Sequence, residues 1–305
     1  MQALYAFFLS EDRNKVKHEK EMFSSFEKTY DLYLYLLLLL IEIRECGRNL
    51  ITIRKAKQLP TKADINPNTR FIDNKIFSII SVNRQLAAET SKRNISWGND
   101  NDAAQKLFSK IIESKLYSLY MNADATGFKN DKKFISDIYK EIILQDEFLQ
   151  FIFEEKNIHW ADDIDFVNTL VLKTIDYIPE SAMDDLPLAH LYKDEKEDKK
   201  FAKELFQKVI EHSGEEEKLI QSKTENWELE RIAFMDVLLM KMAITEFLHF
   251  PTIPVKVSLN EYIELAKQYS TPKSSVFVNG ILDKLLAEFK NDGRLQKQGR
   301  GLVEN

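Results

Sequence analysis

The stretch SSVFVNGILDKLL, residues 274–286, decides how the chain is read, because two of its features disagree. Val276, Phe277, Ile281, Leu282, Leu285 and Leu286 recur at helical spacing, the pattern of an amphipathic helix. Asn279-Gly280 sits inside that pattern, and Asn-Gly is a turn-forming dipeptide. Gly within a helix costs about 1 kcal/mol relative to Ala. The period predicts a helix over 273–290 that keeps Gly280 for a reason other than propensity. A residue without a side chain lets a neighbouring helix or a ligand approach the backbone. On packing physics alone the neighbouring helix is favoured.

Working outward, the rest of the chain reads the same way. Only 8 Gly and 7 Pro are spread over 305 residues, while hydrophobic residues make up 44% and charged residues 30%. That balance fits a globular protein, and the fold class expected is all-α. Helices are predicted over 1–9, 19–57, 73–91, 101–121, 131–154, 161–176, 198–212, 226–249, 259–269 and 273–290. Ser258 and Glu261 have capping-box spacing ahead of YIELA, and Thr271-Pro272 reads as a cap followed by a first-turn proline. The run LYLYLLLLLI, 32–41, is ten residues long before Glu42, whereas a span needs about 20. It reads as a helix buried on all sides, with no membrane partner and a cytoplasmic location expected. The formal net charge of -6 provides no general attraction for nucleic acid. The single cysteine, Cys46, excludes an intrachain disulfide and a cysteine-based zinc site.

Catalytic and metal readings do not gather support. His159, Asp162, Asp163 and Asp165 in HWADDID fit a helix start, where the macrodipole favours acids. Glu246 and His249 form one Glu-x-x-His half-motif, but a di-iron bundle needs two plus further carboxylates. No phosphate loop, nucleophile elbow or Cys-His pairing is present in the sequence, so no enzyme, metal or cofactor is expected. DKKF at 131–134 recurs at 198–201, each followed at the same distance by a tryptophan, Trp160 and Trp227, which suggests a duplicated helix pair. In WELERIAFMDVLLMKMAITEFL, 227–248, apolar residues occupy nearly every face. Asp236 has no Lys or Arg three or four residues away, so it reads either as an edge residue or as part of a partner surface.

IPVKVSLNEYIELAKQYST, then SSVFVNGILDKLL, after a helix ending MAITEFL, resembles the C-terminal half of the NusB family. MQALYAFFLSED resembles that family's first helix. The resemblance covers about 1–12 and 198–290. It implies an all-α NusB-like bundle with a large helical insertion, and a factor that holds RNA without performing chemistry. It further implies transcription antitermination on boxA-type single-stranded rRNA leader together with the ribosomal protein NusE, with other Nus factors and RNA polymerase engaged indirectly. Carried over by position, Gln2, Tyr5, Ser274, Phe277, Asn279 and Gly280 are the expected RNA-binding residues, and Asp236 falls on the NusE-facing surface. The alternative is a helical interaction scaffold of the same fold that has lost RNA binding.

The division expected is 1–16 as first helix, 17–190 as insertion or variant N-terminal half, 191–290 as the C-terminal unit, and 291–305 as a flexible basic tail. Two departures stand out. The family's arginine-rich segment before QALY is not within this sequence, which starts at Met1 and has its first basic residue at Arg13; either the start is truncated or the RNA grip lies elsewhere. Arg44, Arg48, Arg54, Lys55 and Lys57, or Lys290, Arg294, Lys297 and Arg300, are the candidate substitutes. The loop before FVNG, usually acidic in the family, reads Thr271-Pro272-Lys273-Ser274-Ser275.

Overall fold

A computed structural model describes residues 1–98, 101–224 and 232–302. Trp227 lies outside them, so the paired-tryptophan expectation is described for Trp160 alone, which is buried and donates its indole N–H to the Lys28 carbonyl at 2.8 Å. Among the described residues all regular structure is helical. In chain order the helices are α1 (Gln2–Leu9), α2 (Lys15–Lys55), α3 (Lys62–Ile65), α4 (Lys75–Ser81), α5 (Arg84–Arg93), α6 (Asn101–Glu113) and α7 (Lys115–Asn122). There follow α8 (Phe128–Ile138), a π turn (Tyr139–Ile143), α9 (Glu147–Lys156), α10 (Ile158–Tyr177), α11 (Glu195–Lys223), α12 (Phe234–His249), α13 (Val255–Tyr269) and α14 (Ser274–Asn291).

Side chains explain where the predicted helices break. The stretch 73–91 divides because Asn83 caps α5, accepting from the Leu86 N–H at 2.7 Å and donating to the Leu186 carbonyl. Ser114 caps α7 in the same manner, and Asp146 caps α9. Conversely, α11 runs through Ser213-Gly214, where the sequence pattern stops at 212. Asp194 accepts from Lys196 N and Glu197 N, so the charge run 193–200 is a helix start. The capping-box reading of Ser258 fails: α13 begins at Val255, and Ser258 is a core residue. The Thr271-Pro272 cap is also displaced, with Lys273 at the N-cap of α14.

The chain forms two compact units, Ser24–Leu191 and a second made of Met1–Phe23 with Tyr192–Asn305. The boundary near the N-terminus falls within α2, later than the expected 16/17. In the unit Ser24–Leu191, the run 32–41 is a core helix, with Leu32, Leu34, Leu37, Leu39 and Leu40 wholly buried. Tyr33 donates or accepts with Thr174 at 2.7 Å, and Trp97 donates to the Tyr35 carbonyl while stacking on its ring. No helix among the described residues is long and apolar enough to cross a membrane. Cys46 is half-buried, and burial pushes its thiol up to about 11.

In the other unit α12 is the axis. It packs on α11, α13 and α14, and α1 rests on α11 and α12. Every residue from Asp236 to Phe247 is buried. The polar members of that run are each answered by a neighbour. Lys241 donates to Ser213 on α11 at 2.9 Å and pairs with Glu217 at 2.7 Å. Thr245 donates to Glu216 on α11. Glu246 accepts from Ser258 and, at 2.8 Å, from the Tyr262 hydroxyl, both on α13. His249 stacks on His212 instead of sharing a ligand with Glu246, which disposes of the half-motif. Lys297 and Gln298, beyond α14, are docked where a flexible tail was expected. Lys297 donates to the Glu246 and Phe250 carbonyls at the end of α12, and Gln298 N–H donates to Pro251.

Burial pushes the Glu216 carboxyl up to about 8, against the smaller opposing effects of Thr245 and Lys241, and its Oε2 is buried without a hydrogen-bond partner. The folded protein therefore holds this proton where the unfolded chain has lost it, and stability falls as pH rises from the ordinary 4.5 towards 8. Glu216→Gln keeps the shape and removes that loss. Thermal melts at pH 8 should show the variant more stable by on the order of 1–3 kcal/mol, with the gain shrinking towards pH 5.

Candidate functional site

The expected RNA-binding residues divide between α1 and α14, and the two helices do not pack directly on each other as principal neighbours; each leans on α11 and α12. On α1, Leu4 and Phe7 are buried and hold the helix, while Gln2 and Tyr5 face outward. Tyr5 is 37% exposed, and its ring meets that of Phe234, at the start of α12, edge-on at 5.3 Å. The two rings make a half-exposed aromatic ledge.

On α14 the apolar period works as the sequence suggests. Val278, Ile281, Leu282, Leu285, Leu286 and Phe289 are buried, and Phe277 is half-buried. The opposite stripe carries Val276, 77% exposed, then Gly280, one turn on, and Asp283 with Lys284 after it. Asn279 donates to Asp283 at 2.9 Å, within the same helix. A Cβ built at Gly280 meets nothing within 4 Å. The favoured sequence reading, that Gly280 admits a neighbouring helix, is therefore wrong. Among the described residues no helix comes there, and the backbone of α14 is exposed at that turn.

Ser274 and Asp236 require correction. Asp236 is 4% exposed, not an outward-facing carboxylate. Its Oδ1 accepts from Ser270 at 2.5 Å and its Oδ2 from Ser274 at 2.7 Å. Ser274, itself buried, also meets the Thr271 hydroxyl at 2.8 Å and accepts from the Thr271 N–H. The carboxylate is an internal clamp. It ties the first turn of α12 to the loop joining α13 and α14, and so fixes where α14 begins. The sequence offered no charge signal for this, because the partners are two serines more than thirty residues later.

The substitutes proposed for a basic grip are mostly committed elsewhere. Arg44 is buried and donates to the Ile72 carbonyl, Ser78 and Ser81. Arg48 pairs with Glu45, Lys57 with Asp64, and Arg294 with Glu288 and Asp292. Lys297 caps α12, and burial lowers its pKa. The Arg300 side chain is outside the described atoms.

With this geometry in place, comparison with known proteins becomes informative. A model of the NusB family matches residues 180–287, a span that contains α11 to α13 and α14 up to Ala287. Residues 180–287 are thus similar to the NusB family. The transcription antitermination protein NusB of Salinibacter ruber is 47% identical over 103 residues, 34% of this chain and 64% of that protein. That of Chloroherpeton thalassium is 48% identical over 106 residues, 35% of this chain and 50% of that protein. The NusB of Thermodesulfovibrio yellowstonii is 40% identical over 90 residues, covering 60% of its length. The chain thus spans less than two thirds of these relatives, and two thirds of the chain lies beyond the match. The NusB segment holds the α14 site and the Asp236 clamp; α1, with Tyr5, stands outside it. No solved structure matches the chain.

Because the space over Gly280 is empty and the helix is exposed there, Gly280→Ala should stabilise the protein by about 1 kcal/mol. Urea or thermal unfolding of the purified variant checks this. A loss of stability would place an undetected packing partner at that turn.

Proposed function

We propose that the protein is a NusB-type transcription antitermination factor that holds single-stranded, boxA-like RNA and acts by binding, without performing chemistry. The observation that carries this reading is the bare turn of α14. A glycine that costs helix stability and admits no neighbour is kept on an exposed face, in the segment that matches the family. Such a turn lets a nucleotide reach the backbone. Unpaired bases are recognised by stacking on aromatic side chains, and the half-buried Phe277 on α14 and the Tyr5–Phe234 ledge between α1 and α12 are accessible rings of this unit. Asn279 supplies an amide whose internal bond to Asp283 is easily exchanged for a base edge or phosphate.

The protein partner in this reading is the ribosomal protein NusE, with other Nus factors and RNA polymerase further out, in the cytoplasm. Asp236 does not offer its charge to that partner. It sets the α13–α14 loop, which is exposed at Thr271, Pro272 and Lys273, and the loop is the part a partner would meet.

The test separates fold from function at one residue. Gly280→Leu adds a side chain into open space, so the melting temperature should hold or rise, whereas affinity for a boxA-like oligonucleotide should fall at least tenfold in fluorescence anisotropy. Unchanged affinity would remove the α14 face from the RNA site.

A further inference from the structure

Most of the unit Ser24–Leu191 lies outside the NusB match, and its described surface carries a row of cations on α8. Lys129, Lys132, Lys133, Ser136 and Lys140 recur at three- and four-residue spacing along α8 and into the π turn. The opposite face of the helix, with Phe134, Ile135 and Ile138, is buried. The lysine stripe forms one wall of a cavity of about 580 Å³, and the end of α10 from Asp176 to Glu180 forms another. From Lys129 to Lys140 the stripe runs roughly 16 Å at helical rise.

Acids in the groove are largely engaged. Asp137 is held by Lys133 at 2.5 Å, Glu180 faces Lys75 at 3.9 Å, and Asp176 accepts from Ser136 at 3.4 Å. Lys132 donates at 2.7 Å to a backbone carbonyl, that of Asp176, and lies over the Phe128 ring at 5.1 Å. Lys129 and Lys140 form no ion pair among the described residues. Tyr177, flanked by two residues of the groove wall, is 79% exposed.

We propose that this groove is a second contact for single-stranded RNA, with the lysines following the phosphates and the Tyr177 ring stacking on an unpaired base. A positive groove with an exposed aromatic side chain is how single strands are held without sequence preference. An acidic protein fits less well. The apolar side chains lining the groove, Phe128 and Ile178, are themselves buried, and the exposed Tyr177 does not line the cavity, whereas a protein interface places its anchor at the centre. The groove would also give a chain of formal charge -6 a local cationic surface where most of the arginines and lysines expected to grip RNA are engaged elsewhere. The choice of RNA rests on the function proposed above; the groove itself does not.

The experiment uses the full chain and a short fluorescein-labelled oligouridine, titrated at several salt concentrations. Lys129→Gln with Lys140→Gln removes two phosphate contacts from exposed positions. The slope of log affinity against log salt should fall by about 1.4, since each single-strand phosphate contact contributes about 0.7. Tyr177→Ala should weaken binding by about fivefold to a hundredfold, the range for one lost base stack. Melting should be unchanged in both. Wild-type affinity and slope in these variants, with binding lost in Gly280→Leu, would overturn the groove and leave the proposed function standing. Weakened binding in the groove variants, with Gly280→Leu at wild-type affinity, would uphold the groove and overturn the α14 site. A wild-type chain that binds no oligouridine even at low salt would overturn the groove, while the boxA-like titration decides the α14 site.

Discussion

The structure of the NusB-type unit depends on how a helix buried on every side is kept from turning about its own axis. Apolar packing alone does not fix α12, because a helix that is hydrophobic all round presents similar surfaces in several rotations. Its few polar side chains do. Asp236 reaches the α13–α14 loop, Lys241 and Thr245 reach α11, and Glu246 reaches α13. Each is buried, and an unmade hydrogen bond there costs about 1–3 kcal/mol. A rotation of α12 would break all of them at once.

These contacts carry through to the exposed face of α14. The clamp at Asp236 holds the first turn of α14, and Val278, Ile281, Leu282 and Leu285 commit one side of it to the core. The opposite side then has to present Val276 and Gly280 to solvent. The site is thus a consequence of the interior: the same residues that stabilise the bundle decide which turn of α14 is left bare. The raised pKa of Glu216 belongs to the same economy, since a carboxyl held among apolar side chains keeps its proton.

Much of this was legible in the sequence. Helical period identified α14 across Asn279-Gly280, the run 32–41 as a core helix and α12 as apolar nearly all round, because periodicity reports burial directly. What the period could not report is what lies opposite a residue. Gly280 was read as a packing position since a helix usually has a neighbour, and only the coordinates show empty space above it. Asp236 was read as an edge or partner residue since its helix neighbours carry no cation; its partners are hydroxyls on a distant loop, which have no sequence signature. Arg44 was counted among surface cations although it is buried, its guanidinium spent on a carbonyl and two serines. For Asp236 and Arg44 local spacing was read correctly and the long-range partner was missing. The lysine stripe of α8 was overlooked for the opposite reason: four lysines in helical sequence look like ordinary solvated surface until α10 closes a groove over them.

The central claim, that buried polar contacts from α12 set the placement of α14, is tested most directly by a double-mutant cycle. Asp236→Ala, Ser274→Ala and the double variant would be compared by native-state hydrogen exchange of the α13 and α14 amides, which reads local stability without requiring the two units to unfold together. The account predicts that the single changes are strongly non-additive, with a coupling of about 1–3 kcal/mol concentrated in the first turns of α14. Additive effects, within about 0.5 kcal/mol, or protection in α14 unchanged by Asp236→Ala, would contradict it.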